Sequence, residues 1–271
     1  MTLRLDDRSL AVLQLQKRLN ELGASPRLYP DGHFGDATEK AVRAFQQRAG
    51  LVADGVVGPK TRLALNGADT SRLLSQRDLR RAADRLGVPL ASVMALNAVE
   101  SRGEGFAANG RPVILFERHV MHERLQANGL SEAEADALAA RHPGLVSRRP
   151  GGYVGDTAEH QRLANARLLH DTAALESASW GLFQVMGYHW KALGYDSAEA
   201  FTERMARNEA EQLEAFVRFI EADPALHKAL KARKWAEFAR RYNGPAYARN
   251  LYDVKLARAF EQFSEQVKEV A

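Results

Sequence analysis

The chain contains no cysteine. Disulfides, thiolate metal sites and cysteine nucleophiles are therefore excluded, and the fold must hold in an oxidising or a reducing compartment without covalent staples. No run of ~18 apolar residues occurs either, so no membrane-spanning helix is expected. The opening residues MTLRLDDRSL lack a charged segment followed by an apolar one. No secretory signal is therefore expected, and synthesis in the cytoplasm is. There is no arginine-rich helix and no alternation of aromatic and basic residues, which argues against a nucleic-acid partner. Excess charge is small: 38 Lys and Arg against 34 Asp and Glu leave +4. That suits an anionic polymer or surface without demanding one.

What remains is an ordinary soluble composition, 45% hydrophobic and 27% charged over 271 residues, enough for one or two domains. The first segment carries an internal repeat. DGHFGDAT (Asp31 to Thr38) returns as DGVVGPKT (Asp54 to Thr61), with Asp, Gly, Gly and Thr in the same places. Each copy reads as a turn and then a helix start, because Asp-Gly supplies the turn. Asp36 is placed to cap a helix with Glu39 as its capping-box partner, and Pro59 after Gly58 opens another. Val12, Leu15, Leu19 and Leu22 keep helical register before the repeat, and Val42, Phe45 and Ala49 keep it between the copies. Residues 1 to about 66 thus read as a bundle of three short helices.

LQLQKRLNELG, the two Asp-Gly turns and AVRAFQQRAGLVADGVVGPKTRLAL together resemble the peptidoglycan-binding domain found at one end of many wall hydrolases. The resemblance implies a shallow groove near the turns, with Asp31, Phe34 and Asp54 as candidate contacts. The turn residues have a second reading in which they only build the turns. Small and polar residues at 69–75 read as a linker, with Leu73 and Leu74 able to dock. The expected organisation is a binding domain over 1–68, a linker over 69–75 and a larger domain over 76–271.

The larger segment is mostly helical in pattern. SEAEADALAARHPG opens with a capping box, Ser131 to Glu134. EQLEAFVRFI and WAEFARRYNGP each carry an apolar face, the second breaking at Gly244-Pro245. RPVILFE (Arg111 to Glu117) fits a short strand, and HPGLVSRRPGGYVGD reads as a long loop of functional length. The expected class is mostly α with a short β element.

One carboxylate stands out. In SVMALNAVESRGEGF, Val93 and Leu96 share a helix face with Glu100 among apolar neighbours, and Arg102, Gly103 and Gly105 end the helix. A Glu at a helix C-terminus faces the negative end of the macrodipole, and burial disfavours its charge further. Both raise its pKa, which is what a general acid for glycoside cleavage needs. The residues alone leave a second reading open, a buried Glu paired with Arg102.

LNAVESRGEGF resembles the end of the catalytic helix in the lysozyme superfamily, notably goose-type lysozymes and soluble lytic transglycosylases. SASWGLFQVMG resembles the second signature of those families, giving Ser179, Gly181, Leu182 and Gln184. RRYNGP resembles their Tyr-Asn-Gly element, giving Tyr242 and Asn243. With GRPVILFERH, nearly the whole chain resembles the modular N-acetylmuramidases of phage endolysins. That resemblance implies a lysozyme-like catalytic domain and cleavage of the β-1,4 bond between N-acetylmuramic acid and N-acetylglucosamine. Glu100 would be the acid, and Ser179, Gln184, Tyr242 and Asn243 would lie along the cleft. It also implies a monomer acting on peptidoglycan without a cofactor, held in the host cytoplasm until a holin-like pore gives access to the periplasm.

A second carboxylate is usual in glycosidases. Glu117 is the candidate, with Glu104, Asp156, Asp171 and Glu176 as rivals. Trp180 and Trp190 could stack on sugar. HVMHE (His119 to Glu123) has two histidines but not the His-Glu-x-x-His spacing, so no metal site is expected. A lytic transglycosylase would use the same acid and form an anhydro-sugar. A non-catalytic wall-binding protein would need no acid, and a chitinase-like enzyme no wall-binding domain.

Overall fold

The computed structural model describes residues 2–270 apart from 102 and 156, and their side chains apart from those of 245, 246 and 267–270. Arg102 and Asp156, given roles above, lie outside the described residues. The chain forms two compact units, one from residues up to 95 together with those from 259 onward, the other Leu96–Arg258.

In the first unit, α1 (Leu10–Glu21), α2 (Asp36–Arg48) and α3 (Pro59–Leu65) form the expected short helices. Ser9 caps α1, accepting from the Val12 amide at 3.3 Å. Val12, Leu15, Leu19, Val42 and Phe45 meet in one core. The capping box predicted for α2 does not form. Gly35 is the N-cap, Asp36 is already helical, and the Glu39 carboxylate is held by Arg43 at 2.8 Å instead. Pro59 opens α3 after Gly58, as expected.

The repeat has a physical cause that its turn motif conceals. Gln16 donates to Asp31 (2.9 Å), the His33 carbonyl (3.0 Å) and Thr38 (3.0 Å), and accepts from the Gly32 amide (3.0 Å). Gln46 donates to Asp54 (2.8 Å), the Val56 carbonyl (3.0 Å) and Thr61 (3.1 Å), and accepts from the Gly55 amide (2.9 Å). Both glutamines are buried. Each turn is therefore pinned to the preceding helix by one amide whose every polar atom is used.

Residues 69–75 dock on this unit. Thr70 donates to the Ala49 carbonyl at 3.0 Å, and Leu74 is buried. Then α4 (Gln76–Leu86) starts with a Ser75–Asp78 capping box. Gln76 pairs with Ala53 and Leu51 at 3.0 and 3.2 Å.

After α5 (Leu90–Glu100), the second unit contains β1 (Ile114–Phe116), α6 (Arg118–Ala127), α7 (Glu132–Arg141), α8 (Ala158–Arg167), α9 (Asp171–Glu176), β2 (Ala178–Trp180) and β3 (Val185–Met186). Next come α10 (Ala198–Met205), α11 (Glu209–Ala222), α12 (Pro224–Lys231), α13 (Trp235–Asn243), a 3₁₀ turn (Pro245–Asn250) and α14 (Tyr252–Val270), whose residues from 259 onward belong to the first unit. The expected capping box at Ser131 and Glu134 opens α7. The strands form one antiparallel sheet in the order β1-β2-β3, with Leu115 opposite Ser179 and Ser179 opposite Met186. The fold is mostly α, as expected. Phe116, Phe201, Phe216 and Phe238 are fully buried. The long loop before α8 is tied down at both ends. Arg118 donates to the carbonyls of Pro143, Arg149 and Pro150. The buried Glu159 accepts from the amides of Phe116, Val154 and Gly155 and pairs with Arg162 at 2.8 Å.

Candidate active site

Three connections converge on one cleft of about 450 Å³. Glu100 enters as the last residue of α5, and Tyr242 and Asn243 as the last two of α13. The turn joining β2 to β3 supplies Phe183 and Gln184. Gly181 opens that turn at φ +70, and a β-carbon there would collide with the side chain of Gln212. Gln212 is itself buried and bonded to Gly105, Leu182 and Met205. The glycine of the second signature is thus required by a close approach as well as by backbone sign.

Glu100 is half-buried, and the Asn243 amide donates to both its oxygens at 3.2 and 3.3 Å. Burial pushes its pKa up to about 7, against smaller downward pulls from the Asn243 hydrogen bond and the Lys255 charge. The direction is the one expected from sequence, and its largest cause is desolvation. Near neutral pH the group therefore keeps part of its proton, the condition that general acid catalysis requires.

Gln184 adopts a left-handed conformation, φ +51, at a cost of the order of 1 kcal/mol for a non-glycine residue. Its amide is fully engaged. It accepts from the Ser179 hydroxyl at 2.9 Å and donates to the carbonyls of Gly181 and Val113 at 2.8 and 3.3 Å. Ser179 is buried and does not line the cleft; it sets the orientation of Gln184. Tyr242 donates to the Phe183 carbonyl at 3.1 Å, and burial pushes its hydroxyl pKa up. Its ring packs against Phe216, Phe219 and Phe238. Tyr242 thereby locks the end of α13, and with it Asn243, to the β2–β3 turn.

Other expected residues lie elsewhere. Glu117 stands at the N-cap position of α6 without a side-chain capping bond, and is not among the described residues lining the cleft. Its carboxylate accepts from Tyr153 at 2.9 and 3.1 Å, and His119 lies 3.2 Å away. Among the described lining residues Glu100 is the one carboxylate. Of the rivals, Glu104 is exposed, and the exposed Asp171 pairs with Arg167. Glu176 is buried against Arg124, Asn128 and Trp190 at 2.7–2.8 Å. Trp180 is buried, its indole bonded to the Leu175 carbonyl, so neither tryptophan lines the cleft. His122 is buried against Asp136 at 2.9 Å. In the first unit Phe34 is a core side chain with 0% exposure and offers no face to a ligand. Asp31 and Asp54 each spend an oxygen on their glutamine and on a turn amide.

Sequence reasoning missed Tyr188, His189, Phe219 and Tyr252, which line the cleft. Burial pushes the His189 pKa down, favouring the neutral imidazole. The signal for Tyr188 and His189 was their position directly after the second signature. Phe219 and Tyr252 carry none, because only tertiary packing brings α11 and α14 to this place.

Residues 8–65 match the family described as a peptidoglycan binding domain. The chain is 48% identical over 50 residues to an N-acetylmuramoyl-L-alanine amidase of Mycobacterium tuberculosis, covering 18% of this chain and 12% of that one. It is 50% identical over 52 residues to the zinc D-Ala-D-Ala carboxypeptidase of Streptomyces albus G, covering 19% and 20%. The chain thus spans a fifth or less of these relatives. Over nearly its full length it is similar to the solved structure of the Burkholderia AP3 phage endolysin, with 55% identity, a TM-score of 0.92, and coverage of 98% of this chain and 100% of that one. Residues 89–264, well over half of the chain and including every residue of the cleft, match the model of the N-acetylmuramidase family, and the chain belongs to that family.

Proposed function

We propose that this chain is a peptidoglycan hydrolase of the endolysin type, cleaving the β-1,4 bond between N-acetylmuramic acid and N-acetylglucosamine. The observation that carries this reading is a half-buried Glu100 with its pKa at about 7, in a cleft lined by polar and aromatic side chains. Glu100 donates its proton to the glycosidic oxygen as the bond from C1 of N-acetylmuramic acid breaks. Asn243 holds the carboxyl group and then stabilises the carboxylate left behind. Water adds to C1 and its proton restores the acid. Tyr188 and Tyr252 present rings to the sugars.

Glu117 is assigned no part in activating that water, because its carboxylate accepts from Tyr153 and it is not among the described residues lining the cleft. Besides Glu100 after it has donated, His189 is a described lining side chain with a nitrogen that can accept a proton, and burial weakens it as a base. A second reading draws support from the same single carboxylate: a lytic transglycosylase needs no base for water, since the muramic 6-hydroxyl attacks its own ring. Mass spectrometry of digested sacculi after borohydride treatment separates the two. Hydrolysis yields reducing N-acetylmuramic acid ends that gain two hydrogens. A pool dominated by 1,6-anhydro ends rejects hydrolysis, and reduced N-acetylglucosamine ends mean the other bond is cut.

The first unit is proposed to hold the chain on peptidoglycan as a monomer, residues 1–68 being its smallest form. The protein is proposed to await release from the host cytoplasm into the periplasm. Among the described residues no helix is long and apolar enough to cross a membrane. Tethering raises the local concentration of the catalytic part at its substrate. The N-terminal part alone should sediment with sacculi without cutting them.

A further inference from the structure

The stretch between the two family matches, residues 66–88, belongs to neither, yet it builds one wall of a cleft. The cleft is open, with a volume of about 720 Å³. One wall is the end of α2 and the turn after it, including Gln47, Gly50 and Leu51. The other is the start of α4, from which Arg77, Arg80 and Arg81 project; contrary to expectation, α4 is an arginine-rich helix. Positions i, i+3 and i+4 share one face of a helix, and all three arginines are exposed.

The walls are held together rigidly. Gln76 accepts from the Ala53 amide and donates its own backbone amide to the Leu51 carbonyl. Leu74 and Leu79 are buried at 1% and 0% exposure. The one acid in the lining, Asp78, is already committed to the Ser75 cap and to Arg81. Arg77 and Arg80 have no carboxylate partner among the described residues.

We propose that this cleft binds the carboxylates of peptidoglycan stem peptides, through Arg77 and Arg80 with the Gln47 amide beside them. The inference rests on reading the first unit as the wall-binding part, and extends that part beyond the matched domain to α4. The chemistry selects the partner. Guanidinium groups pair bidentately with carboxylates, and two of them on adjacent turns suit a short peptide that carries several. Leu51, the one aliphatic side chain in the lining, is buried, so an acyl chain finds no apolar floor. No aromatic lines the cleft among the described residues, so nucleic-acid bases find no stacking platform.

The test is co-sedimentation of the full chain, carrying Glu100→Gln so that sacculi persist. Adding Arg77→Glu with Arg80→Glu is expected to weaken binding by about ten-fold or more, since two charge-assisted contacts become repulsive. Arg77→Gln with Arg80→Gln should weaken it less, in the same direction. Lys17→Glu with Arg27→Glu, exposed positions of the same unit with the same net change in charge, should change it less than about two-fold. Sacculi stripped of stem peptides by an amidase should bind the parent no better than intact sacculi bind the charge-reversed variant. The proposal is overturned if the two charge-reversed pairs behave alike, if stripped sacculi bind as well as intact ones, or if vesicles containing anionic phospholipid compete while a soluble stem peptide does not. A parent protein that fails to sediment at all would overturn the wall-binding reading itself.

Discussion

The side-chain amide of Asn243, the last residue of α13, reaches both carboxylate oxygens of Glu100, the last residue of α5, at 3.2 and 3.3 Å. Two helices 143 residues apart in sequence end against each other at the proposed acid. Each prediction about the cleft follows from that contact or from what is absent around it.

Glu100→Gln keeps the shape and removes the transferable proton. Wall lysis, followed as turbidity loss of outer-membrane-stripped cells, should fall by ~100-fold or more. Stability should move the other way. The folded pKa of about 7 lies above the ordinary 4.5, so folding takes up a proton between those values. The stability from keeping the acid neutral is complete below pH 4.5 and lost as pH rises through 7. The variant should therefore match the parent at low pH and exceed it above pH 7, by up to about 3 kcal/mol. Thermal unfolding at pH 4 and pH 8 reads this directly, and lysis near the parent rate would remove Glu100 from its role.

Asn243→Ala takes away the hydrogen bond that pulls the Glu100 pKa down. The acid should stay protonated to higher pH, so the alkaline limb of the lysis profile should move up. The rate at the optimum should fall by about ten-fold, because the carboxyl loses its orienting partner. A drop in rate without movement of the limb would mean that Asn243 acts elsewhere.

Glu117→Gln should cost less than about ten-fold in lysis, well short of the loss expected for an essential acid or base. Its carboxylate holds Tyr153 at the surface, where that ring is 47% exposed. A loss comparable to that of Glu100→Gln would restore Glu117 as the second carboxylate.

Gln46→Ala leaves Asp54, Thr61 and the Gly55 amide without their shared partner. The first unit should lose about 1–3 kcal/mol, the cost of buried polar groups left unpaired. Gln16→Ala should do the same through Asp31, Thr38 and Gly32. Thermal unfolding of the full chain should show an earlier transition, while lysis at saturating enzyme persists. An unchanged transition in both variants would show that the turns hold themselves.

Local features were legible in the sequence because their causes are local. Apolar periodicity placed the three short helices, Ser131 and Glu134 announced the start of α7, and Pro59 opened α3. The Asp36 cap failed because α2 starts one residue earlier, with Gly35 as N-cap, and Arg43, one helical turn beyond Glu39, holds that carboxylate. Phe34 looked like a groove residue because it sits in a turn motif, but the turn folds inward and buries it.

By itself the sequence determined a mostly helical chain, a duplicated turn and helix in its first segment, and an acid at the end of an apolar helix. All of these follow from neighbours a few residues apart. Tertiary structure decided the rest. It set how far Glu100 is desolvated, which is what lifts its pKa, because burial depends on residues that arrive from α13, α14 and the β2–β3 turn. It brought His189, Phe219 and Tyr252 to the cleft and set Tyr153 on the Glu117 carboxylate. It also revealed that Gln16 and Gln46 pin the repeated turns. The repeat spans 23 residues, but each glutamine reaches a different distance, 15 residues to Asp31 and 8 to Asp54, so no fixed spacing marks them in the chain. A hydrogen bond depends on separation in space, and that is settled only when the helices pack.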